Sequence, residues 1–161
     1  MKHSTHRILL WTIAALMMQL SAACTADETV AYSHFEEIPS SGWDPVDILI
    51  FEPWPSDSAQ AYRRSYSMDL VLRYSTRRHI TMLPVALSIE DANGELRTDT
   101  LTLHPDSTDG SMSSRVRYGV HELRMTIDPS VRITDGYRVS LSPLSPREQN
   151  EGLLNVGLIL K

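Results

Sequence analysis

The chain has 161 residues, 22% of them charged, a formal net charge of −5, nine prolines and a single cysteine. That length makes one domain, able to bury roughly two thirds of its unfolded surface and so to hold a core without cross-links. One cysteine excludes an internal disulfide framework, and the acidic balance argues against nucleic acid or anionic lipid as partner.

Lys2 and Arg7 precede a nearly unbroken apolar run, Ile8 to Leu20 (ILLWTIAALMMQL). The run is short of the roughly 20 residues a helix needs to span a bilayer, and small residues follow it, which predicts a secretory signal peptide over 1–23. An unpaired cysteine in an oxidising compartment forms mixed disulfides or oxidises unless something occupies it. Leu20-Ser21-Ala22-Ala23-Cys24 resembles a bacterial lipobox, with Ser21 where an aliphatic residue is preferred. The resemblance implies diacylglycerol on the sulfur of Cys24, cleavage just before it and acylation of the new amino group. The plainer alternative is cleavage after Ala23 that leaves a free thiol. Each buried methylene adds about 0.8 kcal/mol, so two or three acyl chains anchor a protein durably. The leader carries two of the 15 basic residues and none of the 20 acidic ones, so its removal takes the net charge from −5 to −7. Residues 24–29 then form the lipidated cysteine and a short polar tether, and 30–161 the folded domain. The tether's Asp27 and Glu28 resemble surface-export signals of lipoproteins in the Bacteroidota, or are simply solvated; the side of the outer membrane stays open.

The domain reads as strands. A weak apolar pattern at Val30 to Phe35 comes first, then the turn cluster Pro39-Ser40-Ser41-Gly42 and a run from Val46 to Glu52. After the loop Pro53-Trp54-Pro55-Ser56-Asp57, Tyr66, Met68, Leu70, Leu72 and Tyr74 alternate with more polar neighbours, the period of a half-buried strand. Val85, Leu87 and Ile89 repeat it. Asp91-Ala92-Asn93-Gly94 supplies an Asn-Gly hairpin turn, and Leu96 to Leu103 returns. Arg115 to Ile127 is a long run with a bulge or break predicted at Gly119. Tyr137 to Leu141 and Leu154 to Leu160 close the chain. About eight short strands without an amphipathic helix predict an all-β fold, a single antiparallel β-sandwich, with a jelly-roll as one form of it.

Motifs of chemistry are scarce. His121-Glu122 begins a zincin-like pattern, but Met125 stands where the second histidine belongs and the segment reads as a strand. His34, His79, His104 and His121 are not at ligand spacing, and the Asp106 to Gly110 loop lacks the alternation and closing glutamate of a calcium loop. No nucleophile elbow or glycine-rich phosphate loop is present, so no catalytic residue, metal or cofactor is assigned and the chain is not read as an enzyme. Trp54, Tyr62 and Tyr66 are the candidate ligand or partner surface, because aromatics on a β-sandwich can form a sugar-stacking platform; packing is the competing role. Trp43 is expected to plug the end of the core. Arg63-Arg64 and Arg77-Arg78 are expected at solvated turns or strand ends.

Tyr32-Ser33-His34-Phe35, then Ile38-Pro39-Ser40-Ser41-Gly42-Trp43-Asp44-Pro45-Val46-Asp47 and the run ending Phe51-Glu52, resemble the opening of the gliding-motility lipoprotein GldH family of the Bacteroidota. Asp99-Thr100-Leu101 and the closing Gly152 to Leu158 segment also resemble that family, whereas the likeness is loose from about Ser107 to Pro146. The resemblance implies an outer-membrane lipoprotein with no assigned enzymatic activity, tethered to the membrane through Cys24 and linked to envelope protein partners of the gliding apparatus and its associated secretion machinery. Read physically, the motif is structural: Gly42 permits a tight turn, Trp43 covers the sandwich end and Asp44-Pro45 sets the entry to the next strand. A surface glycan-binding module, with Trp54 and nearby tyrosines as its platform, is the alternative function.

Overall fold

The computed structural model describes residues 30–54, 64–91, 93–105 and 112–161; Cys24, Tyr62 and the Asp106 to Gly110 loop lie outside them. Nine strands run through the described residues: β1 Tyr32–Glu37, β2 Leu49–Phe51, β3 Tyr66–Ser75, β4 Leu83–Glu90, β5 Leu96–Leu103, β6 Met112–Arg117, β7 Val120–Val131, β8 Arg138–Pro143 and β9 Leu153–Leu160. They form a five-stranded sheet in the order β1-β9-β3-β7-β6 and a four-stranded sheet in the order β2-β8-β4-β5. All pairings are antiparallel, and β1 pairs with β9, β2 with β8, β3 with β7 and β4 with β5. Pairs nested in this way are those of one long hairpin rolled into two sheets, which is the jelly-roll form of the sandwich, with β6 added at one edge.

Alternation decides which face each residue takes. Met68, Leu70, Leu72 and Tyr74 of β3 and Val156, Leu158 and Leu160 of β9 meet Leu83, Val85, Leu87 and Ile89 of β4 and Val139 and Leu141 of β8 in one core cluster. β9 lies between β1 and β3, and all its residues from Val156 to Leu160 are buried. At Gly157 a Cβ would run into the ring of Phe35 from β1, so the glycine lets that ring lie across the sheet.

The break predicted at Gly119 is present, and two other local readings change. The long run Arg115 to Ile127 is two strands: Tyr118 and Gly119, at φ 51° and 78°, make a two-residue turn that folds β6 back on β7 with Arg117 opposite Val120. Two successive residues at positive φ match the right-handed twist of a hairpin. Of Val46 to Glu52 only Leu49–Phe51 pairs; the preceding Asp44 to Asp47 segment is a turn, closed by a bond from Asp47 N to Asp44 O, and leaves Val46 and Ile48 exposed. Tyr66 is a core residue at 7% exposure rather than part of a surface platform, because strand alternation turns it inward with Met68 and Leu70.

Candidate functional site

Trp43 is 1% exposed and belongs to the core cluster. Its indole Nε1 donates to the carbonyl of Asp47 at 2.8 Å. Asn150, fully buried a long way down the chain, holds the backbone of Trp43 at two points: Oδ1 accepts from Trp43 N at 2.6 Å and Nδ2 donates to Trp43 O at 3.0 Å. Gly42, at φ +97°, fits beside this clamp because a Cβ would clash with the carbonyl of Arg147 and meet Asn150 Oδ1 at 2.8 Å. The Gly42-Trp43 pair is therefore buried against the core, and Trp43 offers no face to a ligand.

Trp54 is half exposed and lines a hollow of about 270 Å³ with Glu52, Pro53, Asp135, Tyr137 and Arg138. Arg138 is held there by Glu52 Oε1, 3.3 Å from Nε and 3.2 Å from Nη2, and by Glu90 at 3.7 Å. Burial, with a smaller contribution from Asp128, pushes the Tyr137 phenol up to about 12, so it stays a neutral donor at ordinary pH. Of the predicted platform, Trp54 reaches this hollow and Tyr66 does not. The hollow combines an aromatic face, carboxylates and an arginine, a composition suited to a polar ring-shaped ligand.

The outer face of the five-stranded sheet carries a second arrangement, made by register. Across one row, Arg73 of β3 stands opposite Glu122 of β7, which stands opposite Arg115 of β6; across the next, Val120 stands opposite Arg117. Arg73, Arg115, Arg117, Tyr118, Val120 and Glu122 line a trough of about 420 Å³. A hollow of about 160 Å³ continues it, sharing Arg115 and Glu122 and adding Ser113, Arg124 and Lys161. Arg73 is fixed from two sides, its Nε donating to Glu122 Oε2 at 2.9 Å and its guanidinium lying 4.0 Å from the centre of the Phe35 ring. At the other end Asp69, 2% exposed, accepts from Thr126 Oγ1 at 2.8 Å and lies 3.1 Å from Lys161 Nζ. A carboxylate buried among such partners is compensated rather than stranded.

These residues are spread over three strands, and only the register brings them together. The sequence signal was limited to arginines at alternate positions of β6, which also describes any solvated strand.

His121 and Glu122 take opposite faces of β7: the histidine stacks on Tyr74 at 4.8 Å between ring centres, and the glutamate serves Arg73. Among the described residues no three His, Cys, Asp or Glu side chains converge as a metal site. Arg77 and Arg78 are exposed after β3, where Arg78 Nη2 meets Glu151 at 3.0 Å. No family model, curated protein or solved structure matches the chain.

Proposed function

We propose that the chain is a lipid-anchored, non-enzymatic protein of the outer membrane, an accessory or assembly component of gliding-motility or associated secretion machinery. The reading is carried by the placement of Cys24 directly ahead of β1. Eight residue steps separate it from Tyr32, which at full extension span at most about 29 Å. An acylated Cys24 keeps the edge strand β1 that close to the bilayer and raises the effective concentration of the domain beside partners held in the same plane. The resemblance of the Gly42-Trp43 segment and of the closing strand to the gliding-motility lipoproteins supports the same reading. The outer strands of both sheets, among them β5 with Leu96 to Thr100 all exposed, suit addition of a partner strand.

Two measurements test it. Cys24→Ala is expected to keep its leader or leave the membrane fraction, and unchanged partitioning into the detergent phase refutes the anchor. Crosslinking of the tagged native chain in cells, followed by mass spectrometry, is expected to recover stoichiometric envelope proteins that are lost with Cys24→Ala; a chain recovered alone refutes the assembly role.

The half-exposed Trp54 in its carboxylate- and arginine-lined hollow favours a second reading, a surface glycan-binding module. Quenching or a shift of intrinsic fluorescence by a member of a glycan panel, abolished in Trp54→Ala, supports it; silence across the panel removes it.

A further inference from the structure

The chain as a whole is acidic, yet the trough on the outer face of the five-stranded sheet and its continuation bring together Arg73, Arg115, Arg117, Arg124 and Lys161. Facing them on that stretch are Glu122, paired with Arg73 and Arg124, and the buried Asp69, paired with Lys161 and Arg124, so two carboxylates answer five cations and the excess positive charge lies toward Arg115 and Arg117. Arg73 is the preorganised member. Its Nε side is taken by Glu122 and its plane lies on Phe35, so the Nη1/Nη2 end of the fork is left to receive a second carboxylate or phosphate in bidentate fashion. Arg115 and Arg117 are exposed and make no ion pair among the described residues.

Tyr118 adds an observation of a different kind. It occupies the first position of the β6–β7 turn at φ 51°, where asparagine or glycine is the usual occupant, and its side chain is fully exposed. A bulky residue held in the left-handed region without packing in return is a local cost to the fold, and such costs concentrate where a side chain is used. Tyr118 lines the trough, next in the chain to Arg117.

We propose that this trough binds an acidic glycan, a sugar chain bearing carboxylate or phosphate groups, with Arg73, Arg115 and Arg117 on the anionic oxygens and Tyr118 against the apolar face of a sugar ring. Acceptors beside the arginines favour a glycan over an acidic peptide or a lipid phosphate: Glu122, its charge held between Arg73 and Arg124, and Ser113 accept from the hydroxyls that recur along a sugar chain. The trough also continues along the sheet face, as suits a chain lying across it. The site is separate from the Trp54 hollow, and it does not depend on the anchor or on the assembly role.

The test uses the native chain purified from cells in nonionic detergent, titrated by calorimetry with oligogalacturonate and with phosphomannan. Controls are neutral cello-oligosaccharides, polyglutamate, and phosphatidylcholine vesicles containing phosphatidylglycerol. Saturable binding of either acidic glycan, weakened by added salt and little affected by Trp54→Ala, is the expected result. Arg115→Gln and Arg117→Gln should each weaken it about tenfold, as expected for loss of one charge-assisted pair. Tyr118→Asn, which suits the turn and preserves the hairpin, should also weaken it. Binding of neither acidic glycan, equal binding of polyglutamate, attachment to the anionic vesicles alone, or unchanged affinity in the arginine variants overturns the proposal.

Discussion

Asn150, fully buried, makes two bonds to the backbone of a single residue, Trp43. Asn150→Ala leaves both the N–H and the carbonyl of Trp43 buried without those partners, and the expected loss is about 2–4 kcal/mol, read from the urea midpoint. Gly42→Ala is expected to be comparably harmful, because the positive φ and the neighbouring carbonyl of Arg147 exclude a Cβ there. Tyr137 contributes a pH dependence of known sign. Its raised value means that the folded state holds the phenolic proton longer than the unfolded state, whose value is near 10. The contribution is complete below pH 10 and is lost as pH rises toward 12. Urea midpoints measured across that window should fall more steeply in the native chain than in Tyr137→Phe. Little of this was legible in the sequence: the Gly42-Trp43 turn and the buried tryptophan were, but nothing in the segment around Asn150 shows that its amide closes on a residue 107 positions earlier.

The β4–β5 hairpin is the element most open to sequence reading, since Val85, Leu87 and Ile89 alternate ahead of Asn93-Gly94 and Gly94 takes the positive φ of 76° at the turn. Asp91 completes that turn, accepting from the backbone of Asn93 at 2.8 Å and of Glu95 at 2.9 Å. Those bonds, chiefly the one from Glu95, hold its carboxyl below the ordinary value. The β6–β7 hairpin does the same job with Tyr118-Gly119, a pair that lacks the usual signature, and was therefore readable only as a break. Tyr118→Asn should relieve the left-handed strain and stabilise the domain by about 0.5–1 kcal/mol in thermal or urea unfolding. Gly119→Ala should cost about 1 kcal/mol by the same measurement, since its φ of 78° suits only glycine well. A rise in stability with Tyr118→Asn accompanied by loss of ligand would mark the turn as a place where the fold gives up stability for use. The arginine trough was hidden for the related reason that its members come from β3, β6 and β7, and their alignment depends on two registers that no local pattern specifies.

At the scale of the molecule, the sandwich follows from the chain's alternation and its turn residues, whereas the strand order depends on which edges meet. The first strand and the last are neighbours, and among the described residues β9 is the sole ladder partner of β1 as well as one of the two partners of β3. Ending the chain at Gly152 should therefore remove more than one strand's worth of contacts: β1 loses its ladder, and Val156, Leu158 and Leu160 leave the core. The expected product has no cooperative thermal transition and no near-ultraviolet dichroism of an ordered core; a truncated chain that melts cooperatively contradicts this account. Pairings between sequence-distant strands also form late, because the loop they close must be ordered first. A polypeptide emerging from its N-terminus thus cannot complete its five-stranded sheet until β9 arrives. That last strand is a latch: it is made after every other and fastens the first one in place.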